Sequence, residues 1–150
     1  MSELASVFDP DVRRALGDRI STLRPDSPRQ WGKMTPVQML DHCASFDRWV
    51  QSGGAKKQEF VGKIVGRALL RRFMRPGNSL PKNVPTLTKL IGRDLEDFEA
   101  TRQAWLTSLA GYSDYQVESF VHDFFGPMTR EEVGLFVHKH ADHHLKQFGV

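Results

Sequence analysis

Cysteine is almost absent from this sequence, and long apolar runs are missing. The single cysteine, Cys43, excludes an internal disulfide. The most apolar stretch, residues 60–74, is interrupted by Lys63, Arg67 and two further arginines, so it falls short of the roughly 20 apolar residues of a membrane-spanning helix. The N-terminal residues also lack the apolar segment of an export signal. We therefore expect a cytoplasmic protein without a membrane span.

Internal repeats, low-complexity tracts and long linkers are absent as well. The chain has 150 residues, about the size of one domain, and this suffices to bury a core without a disulfide or a structural metal. We therefore predict a single domain over residues 1–150.

The net charge of +3 is small, but it is unevenly distributed. Residues 56–93 contain ten Lys and Arg against one acidic residue, Glu59. A basic segment of this kind is commonly a solvated face, and its functional alternatives are an anionic substrate, a membrane surface or nucleic acid. Because no recognition motif and no interleaved aromatic residues accompany it, we do not expect a nucleic-acid partner.

Capping and spacing signals predict four principal helices, near residues 9–23, 35–52, 94–110 and 129–147. The second and fourth begin with capping boxes, Thr35 with Gln38 and Thr129 with Glu132. The third is expected to start at Asp94. A further short helix is predicted over Phe60 to Met74 in the middle segment, with Val65, Leu69 and Phe73 on its apolar side.

Two stretches between the helices are less regular. "YQVESFV", residues 115–121, alternates in the manner of a strand, but a lone strand has no partner, so we interpret it as loop or turn. "HDFFGPM", residues 122–128, is interpreted as loop. The resulting prediction is an all-α fold, an antiparallel four-helix bundle with an additional short helix in the middle segment.

Four of the six histidines lie within seven residues near the C-terminus, in the stretch "HKHADHH". At about 100° per residue, His140 and His144 lie within about 40° of each other, on the apolar side of the last helix. His138 falls on the opposite side, where we expect it to face solvent. His143 lies at the rim of the apolar side and is a reserve candidate for the same site.

A histidine of an earlier helix, His42, is expected to face the same interior. A buried imidazole needs a hydrogen-bond partner or a metal, because an unpaired buried polar group costs about 1–3 kcal/mol. The i, i+4 pair His140 and His144, joined by His42, can hold a divalent metal with open positions for water or substrate. The alternative is that all three are core-edge histidines bonded to backbone or carboxylates. The zincin motif is absent, because Ala141 stands where its glutamate would be.

Three other residues have both a functional and a structural interpretation. His122 either faces the mouth of the bundle, where it supports the site or binds substrate, or it packs its own loop. Gln38 lies about 40° from His42 and either orients a ligand or only completes the capping box. Cys43 is expected to be a small core residue, because neighbouring helix residues point about 100° apart.

Three stretches, "MTPVQMLDHC", "HDFFGPMT" and "HADHHLKQFG", resemble the DinB/YfiT-like superfamily, in particular a bacterial branch of unknown function. The resemblance implies a four-helix bundle with a divalent metal, usually nickel or zinc, held by one histidine of an early helix and an HxxxH pair of the last. Carried over by position, the ligands are His42, His140 and His144, and the glutamine that follows the pair is Gln147. Asp123 stands where that branch typically has proline.

The resemblance leads to two classes of function. The best understood members are transferases that join low-molecular-weight thiols to electrophiles, and a divalent metal with open positions would lower the pKa of such a thiol. The same metal would equally support hydrolysis by activating water. In the second class the bundle, as a monomer or a homodimer, holds metal or a small ligand without turnover. This alternative stays open because no obvious general base accompanies the histidines.

Overall fold

The computed structural model describes residues 4–150, in which five α-helices and a two-stranded sheet account for most of the chain. The helices are α1 (Pro10–Thr22), α2 (Pro36–Gln51), α3 (Phe60–Met74), α4 (Phe98–Ala110) and α5 (Arg130–Gln147). The strands are β1 (Phe120–His122) and β2 (Gly126–Met128), and short 3₁₀ turns lie at Thr88–Leu90 and Gly111–Asp114. Across the described residues, no helix combines the length and apolar character that crossing a membrane requires.

Local capping explains where most helices begin. Both predicted capping boxes form, at the starts of α2 and α5. The predicted start of α4 at Asp94 was wrong: Asp97 caps this helix by accepting a hydrogen bond from the Ala100 N–H at 2.9 Å. The preceding Arg93 is bound to Asp41 of α2 through its backbone and its guanidinium, which keeps this segment out of the helix.

The interpretation of residues 115–121 as loop or turn was wrong at its C-terminal end. Strand β1 pairs with β2 in antiparallel register, with Phe120 opposite Met128. The partner strand lies within the next predicted loop, and Gly126, with a φ of 80°, accommodates the tight turn between them. Pro127 is tolerated because a proline on an edge strand need not donate a hydrogen bond to a neighbour. The fold is therefore mostly helical rather than all-α.

The core lies among α1, α2, α4 and α5. Helix α2 packs against α4 and α5, and α1 packs against the same two helices. Cys43 is 1% exposed within this core, which confirms its prediction as a core residue. The largest fully buried side chains include Trp105, Tyr112, Leu16, Ile20 and Leu145.

Helix α3 packs against β2 and α5 instead. Its contact face contains Gly62 and Gly66, where an added Cβ would lie 2.0 Å and 2.3 Å from the Phe124 carbonyl oxygen. Two glycines one turn apart thus let α3 lie directly on the turn after β1. Val65, which the periodicity places inward, is 39% exposed, because the glycine face rather than the valine side turns toward the protein.

Candidate metal centre

Three imidazoles from two helices converge at one point beside the core. His42 comes from α2, and His140 and His144 lie one turn apart on α5. The ring nitrogens that they offer all lie within 4.8 Å of one another, and the Nε2 atoms of His42 and His140 are 3.1 Å apart. The structure thus brings together the three residues selected by helical spacing and by the resemblance.

Hydrogen bonds determine which nitrogen of two of these rings faces the centre. His42 Nδ1 donates to the Leu90 carbonyl oxygen at 2.6 Å, and His144 Nδ1 donates to Gln147 Oε1 at 2.9 Å. Both partners are oxygens that only accept, so each Nδ1 carries the proton and each Nε2 presents a lone pair. The Gln147 amide is itself held in place, because its Nε2 donates to the Trp31 carbonyl oxygen at 3.0 Å.

The third ring, His140, is stacked on Phe46, with centroids 3.8 Å apart and planes inclined by 22°. Burial, followed by the neighbouring histidines, lowers the pKa of His140 well below its usual value. Burial is also the main reason why the pKa of His42 is lowered and that of His144 falls to about 3. All three rings are therefore neutral at pH 7, which is the form in which imidazole binds a metal.

This donor set fits a divalent metal ion. Neutral imidazole nitrogens are good ligands for zinc and nickel, and three of them from the protein leave coordination positions open. A ligand histidine characteristically donates its other N–H to a carbonyl or carboxylate oxygen, as His42 and His144 do here. His42, His140 and His144 can therefore hold the ion, with Leu90 and Gln147 orienting two of the rings.

A cavity of about 940 Å³ opens onto the three histidines. Its walls are mostly apolar and come from α3, from the loop between α3 and α4, and from the turn after β1, together with the segment before α2 and side chains of α2 and α5. Among the described residues, the charged side chains of its lining are Lys33 and Glu59. A small molecule in this cavity would lie directly against the candidate metal centre.

His122 also lines the cavity, and it is 8% exposed. Its Nδ1 accepts hydrogen bonds from the backbone N–H groups of Phe124 and Phe125, at 3.0 Å and 3.3 Å. Burial lowers the pKa of His122 to about 4. The ring therefore holds the turn after β1, as the structural interpretation expects, while also facing the cavity.

The turn is further held by Asp123. Its carboxylate forms an ion pair with Lys89 at 2.5 Å. Its carbonyl oxygen accepts a hydrogen bond from the Glu59 N–H at 2.7 Å. An ion pair and a backbone hydrogen bond thus connect this turn to the segments on both sides of α3.

The remaining candidates differ in whether they line the cavity. The Gln38 side chain accepts from the Thr35 N–H at 2.9 Å in the capping box and is not part of the cavity lining, which favours its structural interpretation. His143 lines the cavity beside Trp31, with ring centroids 5.3 Å apart. His138, which we expect to face solvent, is half-buried, so the structure bears out this prediction only in part.

Two contributors to the site have no counterpart in the sequence analysis. Phe46 stacks on His140 and lies four residues after His42 on α2, so its helical spacing places it on the same face of α2 as His42. Leu90 contributes only a backbone carbonyl from 48 residues away, and no side-chain pattern marks such a group.

A comparison with protein-family models identifies the family of this chain. The family model of the DinB superfamily matches residues 11–148, a range that includes all three converging histidines. Neither the curated proteins nor the solved structures gave a match. The match covers far more than half of the chain, from α1 to the end of α5. The chain therefore belongs to the DinB superfamily.

Proposed function

We propose that this protein binds one divalent metal ion, nickel or zinc, through His42, His140 and His144. The observation that carries the proposal is the convergence of three neutral imidazoles whose ligand atoms lie within 4.8 Å of one another. Membership of the DinB superfamily supports it. In the same proposal, α1, α2, α4 and α5 form the antiparallel four-helix bundle of a single domain.

We further propose that the ion serves a transferase reaction in which a low-molecular-weight thiol attacks an electrophile held in the cavity. When bound, such an ion supplies Lewis acidity that lowers the pKa of a thiol or of water. The chain contributes the fixed orientation of its ligands and an apolar cavity in which the two reactants are held together and shielded from solvent.

Binding without turnover is the second candidate, and one feature of the cavity favours it. Among the described lining residues, Glu59 is the only carboxylate. His122 offers no free lone pair for accepting a proton from substrate, because its Nδ1 already accepts two backbone hydrogen bonds. A cavity with few groups for proton transfer suits a metal or small-ligand carrier, whereas a metal-dependent hydrolase would rely on the ion alone.

The ligand assignment is tested by comparing His140→Ala with His138→Ala. Both variants remove a histidine from α5, but only His140 faces the other two imidazoles. After reconstitution with nickel or zinc and removal of excess ion, mass spectrometry should find about one ion per chain in His138→Ala and far less in His140→Ala. Circular dichroism should show the same helix content in both. Equal metal content in the two variants would contradict the assignment.

The catalytic part is tested by a conjugation screen on the same proteins. Metal-loaded parent protein is incubated with low-molecular-weight thiols and an aromatic electrophile such as 1-chloro-2,4-dinitrobenzene, and the thioether is followed by absorbance. We expect activity in the parent and in His138→Ala, and loss of activity together with metal in His140→Ala. Stoichiometric metal without conjugation in the parent would support the carrier, and ester hydrolysis instead would support the hydrolase.

A further inference from the structure

The contacts of His122 determine where its proton lies. Two backbone N–H groups, of Phe124 and Phe125, point at Nδ1 from 3.0 Å and 3.3 Å. An imidazole nitrogen that accepts hydrogen bonds carries no proton, so the neutral ring must carry its proton on Nε2. His122 is therefore locked by its own turn as a hydrogen-bond donor at Nε2.

This Nε2–H has no acceptor among the described residues, and it is not sealed from solvent. The ring lies among aromatic side chains, with centroids 4.6 Å from Phe125, 5.4 Å from Trp49 and 5.6 Å from Phe136, and it forms part of the cavity wall. A hydrogen bond formed in such apolar surroundings is stronger than one formed in water. The donor is thus placed to bind an acceptor that enters the cavity.

The rest of the cavity fits an apolar molecule. Its volume of about 940 Å³ is at the upper end of the roughly 300–1,000 Å³ of small-molecule sites. Apolar side chains dominate the wall, among them Leu69, Phe73, Leu87, Phe124 and Phe136. Such walls bind rings and alkyl chains by burial of apolar surface and leave orientation to a few polar groups.

We propose that the cavity binds an apolar molecule that carries one oxygen acceptor, a carboxylate or a carbonyl. The apolar part lies against the phenylalanine and leucine walls, and the oxygen accepts the hydrogen bond of His122 Nε2. This inference names the class of molecule that the cavity holds beside the proposed metal ion and in that respect rests on the proposed function. His122 is then a binding and specificity residue that touches the ligand directly.

Two substitutions separate the donor from the support of the turn. In His122→Asn, the side-chain oxygen takes the place of Nδ1 and accepts from the turn, but the Nε2–H donor is lost. In His122→Gln, the amide N–H₂ reaches the place of Nε2 and keeps a donor facing the cavity. Leu69→Trp is the third variant, because a larger side chain on α3 fills the cavity without changing His122.

The probes are 1-naphthoate and naphthalene, titrated into metal-free, chelator-treated protein and followed by quenching of tryptophan fluorescence and by calorimetry. We expect saturable binding of both probes at one site per chain. His122→Asn should weaken 1-naphthoate binding about tenfold or more, as for loss of a hydrogen bond to a charged acceptor, while naphthalene binding is unchanged. His122→Gln should bind 1-naphthoate more tightly than His122→Asn, and Leu69→Trp should weaken both probes.

The outcomes distinguish this inference from the proposed function, because zinc binding is measured on the same preparations. Protein that takes up zinc but binds neither probe overturns the ligand class and leaves the metal proposal standing. Binding of both probes without uptake of zinc or nickel supports the ligand class and removes the metal proposal. Equal binding of 1-naphthoate by His122→Asn and the parent overturns the role of His122 as donor.

Discussion

At the scale of single residues, several buried polar groups of this protein have hydrogen-bond partners that restrict their chemistry. Gln147 is the clearest case, because its two amide ends bind His144 and the Trp31 carbonyl oxygen. The first contact holds the His144 proton on Nδ1, and the second prevents the amide from reversing its orientation. A glutamine after the HxxxH pair thus acts through the tautomer of its neighbour.

Asp47 is a second buried group, and it predicts a pH dependence. Its carboxylate accepts hydrogen bonds from Trp105 Nε1 and from the Tyr112 hydroxyl, both at 3.0 Å. Burial outweighs these bonds and raises the pKa of Asp47 from 3.8 to about 7. The folded state therefore holds a proton that the unfolded chain releases above about pH 4. The contribution of Asp47 to the free energy of unfolding is thus full at low pH and is lost as the pH rises toward 7.

We expect Asp47→Asn to remove this dependence, since asparagine can accept from Trp105 and donate to the Tyr112 oxygen without titrating. The free energy of unfolding of the parent, relative to Asp47→Asn, should fall by about 3 kcal/mol between pH 5 and pH 8. Urea denaturation of both proteins at the two pH values measures this difference. The histidines titrate in both proteins, so their contribution to the difference cancels. A difference that does not change with pH would contradict the raised pKa.

At the scale of elements, two adjacent residues of α2 bind the loop between α3 and α4. One is Asp41, and the other is His42, a metal-ligand candidate. Asp41 binds the backbone and guanidinium of Arg93, while His42 binds the carbonyl oxygen of Leu90 three residues earlier. Burial acts to raise the pKa of Asp41, but the hydrogen bonds and charge of Arg93 lower it overall, so the carboxylate is ionised at pH 7. The loop between α3 and α4 is therefore tied to α2 beside the ring that it orients.

Helix α3 depends on glycine, and this can be tested by Gly66→Ala. An added Cβ would lie 2.3 Å from the Phe124 carbonyl oxygen, so α3 and the turn after β1 must separate. We expect a net loss of about 1–3 kcal/mol in the free energy of unfolding from overpacking. This loss appears although alanine is intrinsically the better helix former by about 1 kcal/mol.

Gly17→Ala in α1 is the matched control for this substitution. Its added Cβ would lie 3.7 Å from Leu106 Cδ2, an ordinary contact distance. We expect it to raise the free energy of unfolding by up to about 1 kcal/mol, because only the helix preference changes. Urea denaturation of the two variants and the parent measures their free energies of unfolding. Equal stability of both variants would contradict the close approach of α3 to the turn after β1.

At the scale of the whole molecule, the proposed metal ion would join α2 to α5. An ion that binds only the folded chain at 100 times its dissociation constant adds about 2.7 kcal/mol to the free energy of unfolding. For a domain of this size we expect the melting temperature to rise by about 5–10 °C on addition of zinc or nickel. Scanning calorimetry with and without a chelator measures the shift, and His140→Ala should show little of it. Tight metal binding without a shift in the parent would place the ion outside the folded site.

The sequence alone determined the features that depend on neighbours within a few residues. The capping boxes at Thr35 and Thr129 place the starts of α2 and α5 correctly, since their hydrogen bonds span three residues. The periodicity of α5 selects His140 and His144 as a pair, because 3.6 residues per turn is a property of the helix itself. Local signals also failed in one place. They did not predict the hairpin of β1 and β2, because β2 contains a proline.

Only the tertiary structure decided which groups from distant parts of the chain meet. His42 lies 98 residues from His140, and packing of α2 on α5 sets the distance between their rings. The hydrogen bond from His42 to the Leu90 carbonyl, which orients the ring, spans 48 residues. The Asp41–Arg93 pair, which moves the start of α4 to Asp97, spans 52 residues. Contacts of this length are chosen by the free energy of the whole packed chain, and a backbone carbonyl such as that of Leu90 leaves no mark in the side-chain pattern.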